Sequence, residues 1–165
     1  MSDKDITQAS LFTDEEVSET TEQTLARIRA SAVACKACDC HTNRTDHDRI
    51  VFSDGSPDAD LMIVSEAPGR NEDIQGVPFV GKAGEHLNKI IKWMGLDRKK
   101  DIYIANILKC WPGPGNPTPT AKQAKACLPF LEAQIRCVKP KLIITLGLVS
   151  TRYLTDDTRP MSNQW

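Results

Sequence analysis

Six cysteines lie along the 165 residues, and four have a spacing that suits metal ligation: Cys35 and Cys38, separated by two residues, then Cys110 and Cys127 far downstream. A close pair plus two remote thiols can make a tetrahedral four-sulfur site for zinc or a 4Fe-4S cluster, because either needs soft thiolates converging from rigid supports. The stiff "WPGPGNPTPT" between Cys110 and Cys127 allows loop geometry to bring those two together. Spacing does not choose the metal, and small apolar filling is the other common use of free cysteines. Cys40 is a third thiol in the N-terminal knot and an alternative ligand to Cys38, whereas Cys137 stands at an apolar helix position and reads as core.

A second constellation is "SEAPGRNEDIQGVPFVGKAG", residues 65–84, which packs four glycines, two prolines and three acids directly behind the apolar run "DLMIV". At a strand end, "SEAPG" brings backbone amides and one carboxylate close to a flat ligand: Gly69 permits close approach and Pro68 fixes the turn.

Elements must position these groups. "DADLMIVS", "DIYIANIL" and "PKLIITLG" are short β-branched runs bounded by Pro, Gly or Asp, the pattern of strands buried on both faces. Leu25, Ile28, Ala32 and Val33 recur at helical spacing before the cysteine knot. Leu87, Ile90, Ile91 and Met94 form a second stripe, closed by Gly95. A third runs from Thr120, a plausible N-cap, through Ala124, Cys127, Leu128, Leu131, Ile135 and Val138, with Pro129 predicting a kink or a late helix start. "GLVSTRYL" opens one more helix. Helices alternating with strands predict a parallel sheet covered on both faces, with ligands beyond the carboxyl ends of the strands, at 65–82, 106–119 and 147 onward.

Net charge is −1, yet residues 1–24 carry seven acids and one base, which leaves the remainder about +5. That balance permits a polyanionic partner without demanding one. Residues 1–22 read as a disordered acidic tail and 23–165 as one domain. There is no apolar run of membrane-spanning length, and "MSDKDITQAS" lacks the regions of a signal peptide, so a cytoplasmic chain without a membrane partner is expected. A reducing compartment disfavours a disulfide framework.

"EAPG", "ED", "G-x-P-F-V-G-x-A-G", "N-I-L-K-C", "P-T-P", "C-L-P-F-L-E-x-Q-I" and "K-P-K-L-I-I-T-L-G" follow one another in an order that resembles the family-4, iron-sulfur type of uracil-DNA glycosylase, from about Leu25 to about Tyr153. The resemblance implies a three-layer α/β/α sandwich around a short parallel sheet and a 4Fe-4S cluster on Cys35, Cys38, Cys110 and Cys127. It implies uracil held by the Glu66–Ala67 segment, stacked on Phe79 and read by the Asn106 amide, with Glu66 catalytic. An Asn side chain has the donor and acceptor that match the O4 and N3-H edge of uracil, and a phenyl ring offers a π-face to the base. The implied partner is uracil-containing DNA, single-stranded or mismatched because such bases are cheaper to extrude, acted on by a monomer. Glu72 and Asp73 read as loop-organising acids; Arg70, Lys82 and residues 98–100 as cations that can touch phosphate; His41, His47 and His86 as surface residues.

The family's later His-Pro-Ser type segment is not found, since every histidine precedes residue 90, and "RPMSNQW" resembles the approach to a further strand. The expectation is therefore a chain lacking the last strand and helix, poorly stable and weakly active. Ser65 replaces the family's usual Gly, and the Cys110 to Cys127 interval is one residue longer than usual. Two other functional classes fit the same residues: a non-catalytic DNA- or uracil-binding module, and a zinc-stabilised nucleotide-binding α/β protein.

Overall fold

The computed structural model describes residues 19–155; the expected tail as far as residue 18, and "RPMSNQW", lie outside the described residues. Helix α1 spans Thr21–Val33 and begins inside the last residues assigned to the tail. Its start is fixed by a capping box in which the Thr20 side chain accepts from the Gln23 N-H at 3.2 Å and Gln23 Oε1 accepts from the Thr20 N-H at 2.8 Å. A 3-10 turn over Asp39–Asn43 carries the cysteine knot.

Four strands follow, β1 (Asp54–Gly55), β2 (Leu61–Ser65), β3 (Ile102–Asn106) and β4 (Leu142–Thr145), interleaved with helices α2 (Arg70–Gln75), α3 (Lys82–Trp93), α4 (Ala121–Val138) and α5 (Leu148–Thr155). The sheet order is β1-β3-β2-β4. β2 pairs in parallel with both β3 and β4, with Ser65 opposite Asn106 and Ile63 opposite Ile104, whereas β1 is antiparallel to β3. From β2 the chain passes to one side and then recrosses to the other, so the switch in strand order falls at the carboxyl end of β2, where open sheets place ligands.

Alternation along β2 and β3 builds the two faces. Met62, Val64, Tyr103 and Ala105 point to a core shared with Leu25 and Ala32 of α1 and Ala124, Leu131 and Val138 of α4. Ile63, Ile102 and Ile104 point the other way, onto Leu87 and Ile91 of α3. The expected α/β/α sandwich is present.

Several details differ from the sequence expectation. β1 and α2 are additional elements, too short for any periodicity to announce. Ile90 is 54% exposed and Met94 is 38% exposed, because α3 covers only half a sheet and buries a narrow stripe of its apolar residues. β4 is an edge strand with Leu142 58% exposed, so it is not buried on both faces as expected. α4 runs unbroken from Ala121 through Pro129 with no late start. The ring lies on the exposed side of the helix, and the Lys125 carbonyl that loses its partner is on an exposed residue and can turn to water. The expected Gly95 stop is a Schellman motif: Gly95 N-H donates to Lys92 O at 3.0 Å and Leu96 N-H to Ile91 O at 3.1 Å, with Gly95 at φ +74. No described helix is long and apolar enough to cross a membrane.

Candidate functional site

At the carboxyl ends of β2 and β3 an open cleft of about 250 Å³ is lined by Ser65, Ala67, Gly69, Glu72, Phe79, Lys82, Asn106 and Asn116, among others. Three expected site residues, Ala67, Phe79 and Asn106, meet here. Glu66 does not line this cleft; it borders an adjoining cavity that shares Ala67, Gly69 and Asn116 with it. Glu66 follows the last residue of β2, where the regular alternation of the strand ends. Partial burial raises the Glu66 carboxyl above the ordinary glutamate range.

Asn106 ends β3 and is only 2% exposed. Its Oδ1 is buried and finds no hydrogen-bond partner among the described residues. An orphaned buried acceptor costs about 1–3 kcal/mol, so this side chain is held ready for a donor that the protein does not itself supply. The main chain here is tied to the opposite wall, with Ile107 N-H donating to Ser65 O at 2.8 Å and Leu108 N-H to Glu66 O at 3.1 Å.

Phe79 has φ +55, a left-handed conformation that is costly for an aromatic residue and is found where surroundings impose it. Arg98 supplies the imposition. It donates to Pro78 O at 2.6 Å, Phe79 O at 3.1 Å and Asn88 Oδ1 at 2.7 Å while its Nε is 2.8 Å from Asp54 on β1. Lys99 also pairs with Asp54. Arg98 is thus occupied within the fold, a correction to its expected phosphate role, whereas Lys99 and Lys100 remain exposed. Gly84 completes the arrangement, since a Cβ there would lie 1.9 Å from the Phe79 carbonyl oxygen. Gly84→Ala, which in a free helix would stabilise by about 1 kcal/mol, is expected instead to destabilise by about 1–3 kcal/mol through overpacking. Thermal unfolding with a ring-stacking binding assay checks this, and an unchanged Tm would contradict it.

The acids of the loop organise it as expected. Glu72 Oε1 accepts from Val80 N-H at 3.1 Å and Gly81 N-H at 3.0 Å, and Asp73 accepts from the Thr45 N-H at 2.8 Å. Arg70 stacks 4.8 Å above the Trp111 ring, whose Nε1-H donates to Asn116 Oδ1 at 2.6 Å. Asn116, at φ +49, was not singled out by the sequence; its only signal was a place in the Pro- and Gly-rich segment behind β3.

Cys35, Cys38, Cys110 and Cys127 line one small cavity between the knot, the end of β3 and α4, together with His41 and Lys109. Cys40 is fully buried next to Cys38 but does not line that cavity. Asp39 also lies within 4.8 Å of Cys38 and Cys40, a closeness that neighbours on one tight turn show without a metal, and its carboxylate accepts from Gln123 at 2.8 Å. Cys137 is half-buried against the core, as expected, and donates to Thr21 O. His41 is not a plain surface residue: it is part-buried, with Nδ1 2.5 Å from Cys38 O. His47 and His86 are exposed.

The donor set fits a metal held by four thiolates. Three sulfurs accept N-H groups, Cys35 from Ala37 at 3.5 Å, Cys110 from Arg44 Nε at 3.2 Å and Cys127 from Lys109 N-H at 3.3 Å. Burial raises the Cys110 thiol and pushes that of Cys127 up to about 11, so these groups ionise only against a cation. Two buried cations face the cavity. Arg44 spends all five N-H donors on Cys110 and the carbonyls of Ala32, Val33, Cys35 and His47, closing the carboxyl end of α1. Lys109 is 1% exposed and is pushed down to about 8 by burial, against the pull of Cys127 and Cys110. Among the described residues neither cation pairs with a carboxylate. A tetrathiolate site around a divalent charge is net negative and offsets both. Sequence reading passed over Arg44 and Lys109 because isolated basic residues look solvated until their burial is known.

A family model described as the uracil DNA glycosylase superfamily matches residues 52–163. The chain is similar to the type-4 uracil-DNA glycosylase of Sulfurisphaera tokodaii, with 43% identity over 131 residues, 79% of this chain and 57% of that protein. Its similarity to the type-4 enzyme of Thermotoga maritima is 38% over 137 residues, 83% of this chain and 69% of the relative. With that of Archaeoglobus fulgidus it shares 36% over 132 residues, 80% and 64% of the two chains. The chain thus spans between about half and two thirds of the length of these curated relatives.

Proposed function

The chain belongs to the uracil DNA glycosylase superfamily, and from that premise we propose that its cleft takes one uracil extruded from DNA and that the protein hydrolyses the bond joining the base to its sugar. The observation that carries this reading is the buried, unpartnered Oδ1 of Asn106 in the cleft that Phe79 also lines. Uracil N3-H is the donor that this oxygen lacks, and the Asn106 amide N-H then meets O4. Cytosine carries a lone pair where uracil has N3-H, so a site built for the uracil edge leaves a buried mismatch with cytosine.

Phe79 supports the ring face, and its imposed backbone conformation keeps the ring from relaxing away. In the reaction the bond between N1 and the sugar carbon breaks, and its electron pair goes to the base. Water forms the new bond to that carbon. Glu66, which borders the adjoining cavity, would hold that water and take its proton, which finally neutralises the departing base anion. Lys82, exposed at the rim, Arg70, and the exposed Lys99 and Lys100 are the cations that would meet phosphate. Cys35, Cys38, Cys110 and Cys127 hold a 4Fe-4S cluster, with zinc as the other candidate; when bound, this group cross-links the knot to β3 and α4 and does no chemistry on the base. Single-stranded or mismatched DNA, a monomeric state and a reducing cytoplasm complete the proposal.

The test is excision from a single-stranded oligonucleotide carrying one uracil, read as strand cleavage after alkali. Binding without excision would favour the non-catalytic module. Neither binding nor excision would reject the proposal. Iron and sulfide content against zinc content in anaerobically purified protein decides the metal.

A pH profile follows from Glu66. Its ionised form acts, and that form is lost as pH falls through a value raised by burial. The acid limb of kcat/KM is therefore expected above the usual glutamate range, and Glu66→Gln is expected to remove the limb along with most of the activity. An acid limb at the ordinary glutamate value would contradict the assignment.

A further inference from the structure

Lys109 is a buried cation that the proposed chemistry does not use. Its backbone N-H donates to Cys127 Sγ at 3.3 Å. Its Nζ donates to the main-chain oxygen of Asn106 at 2.7 Å and stands 5.8 Å over the Phe52 ring. The residue is 1% exposed, so the ammonium has no access to water that could replace these contacts. One residue thus touches a sulfur of the four-cysteine cavity with its main chain and the base-reading strand end with its side chain.

We propose that Lys109 is a positioning residue that couples occupancy of the four-cysteine site to the seating of Asn106, so that a filled site tightens the cleft's grip on an extruded pyrimidine. The inference rests on the base-binding reading above.

The physical argument has three steps. The Asn106 carbonyl lies between the side chain that reads the base and the Ile107 and Leu108 amides that tie this segment to Ser65 and Glu66. A charge-assisted hydrogen bond to that carbonyl, made in a dry environment, restrains the peptide more than a neutral one would. The position of the ammonium depends in turn on the Lys109 backbone, which is pinned through Cys127; groups that orient ligands in this way commonly change affinity tenfold or more when removed. Coupling of this kind is reciprocal, so base binding also stabilises the filled site.

The experiment uses the full 165-residue chain loaded with its metal and two variants, Lys109→Met, which keeps length and removes the donor, and Lys109→Arg, which keeps the donor. Hydrogen exchange at the Ile107 and Leu108 amides is read with and without a chelator, alongside affinity for a single-stranded oligonucleotide bearing one 2′-fluorinated deoxyuridine, which resists hydrolysis. Chelation is expected to speed exchange at these two amides in the parent by roughly tenfold beyond its general effect on the Ile63 and Ile104 amides of β2 and β3. Metal-loaded Lys109→Met is expected to show that faster exchange already and about tenfold weaker oligonucleotide binding with full metal content, and Lys109→Arg to recover much of both. An Ile91→Ala variant, destabilised in the separate core on the other face of the sheet, serves as the control for general loosening and is expected to leave the two amides slow.

Unchanged exchange and affinity in Lys109→Met, loss of its metal, or equal loosening in Ile91→Ala would each overturn the coupling. Should the parent fail to bind the oligonucleotide, the base-binding reading falls, while the exchange comparison, with chelation of the parent alone if Lys109→Met does not fold, still decides whether the two sites are connected.

Discussion

Replacing Asn106 with alanine is expected to lower uracil excision by roughly a hundred- to a thousandfold while leaving the protein as stable as the parent or slightly more so. The two effects have one cause. In the free protein Oδ1 is buried without a donor, an arrangement that costs about 1–3 kcal/mol. Alanine removes that debt to folding along with the side chain, and the small space it opens lies at the cleft rather than in a closed core. In the proposed complex, however, the carboxamide would meet N3-H and O4, and loss of one preorganised contact to the departing base costs about 3–4 kcal/mol of barrier. Single-turnover excision and thermal unfolding measured on the same preparations check both halves. A variant that loses stability in proportion to activity would show that Asn106 is a structural residue. Asn106→Asp separates the readings further: a buried carboxylate facing O4 repels the substrate, so its activity is expected below that of the alanine variant at neutral pH.

On the proposed reading, removal of the metal, by chelation or by Cys127→Ser, is expected to unfold the cysteine knot and the carboxyl end of α1 and to abolish activity. The knot between Ala34 and Asp54 holds little regular structure beyond one 3-10 turn, so its own hydrogen bonds cannot sustain it. A cross-link joining Cys35 and Cys38 to Cys110 and Cys127 closes a long loop, worth about 4 kcal/mol in chain entropy. Without it Arg44 and Lys109 also remain buried with no compensating charge, a further cost of several kcal/mol. Domains have only about 5–15 kcal/mol of net stability, so losses of this size take most of it. Limited proteolysis of loaded and chelated protein, with cleavage expected first near Lys36, Arg44 and Arg49, makes the comparison. Resistance of the chelated form would mean that the thiols are ordinary core fillers.

Much of this site was legible before any coordinates. Asn106, Phe79 and Ala67 come from separate motifs, and they reach one cleft because β2 and β3 are adjacent parallel strands whose carboxyl ends coincide, Ser65 beside Asn106. The β-branched runs announced those strands, and the alternation of helix and strand announced their direction. Gly95 and Thr120 marked helix ends correctly because caps are local chemistry. Glu66 was foreseen as a member of the site but not on its neighbouring wall, since a side chain's direction depends on where the strand ends.

Local composition and motif order by themselves determined the family resemblance, the layered α/β plan and the set of cysteines that converge. Those properties depend on backbone propensity and residue spacing, which are present in a linear string. Only the tertiary structure decided that Arg98 is an internal clamp on Phe79 through β1, that Glu72 and Asn116 line the cleft at the strand ends, and that Arg44 and Lys109 are dry cations beside the sulfur cavity. A charged side chain carries no mark of its own burial: its role is set by how much water the surrounding fold leaves to it, and that is a property of packing between segments far apart in the chain.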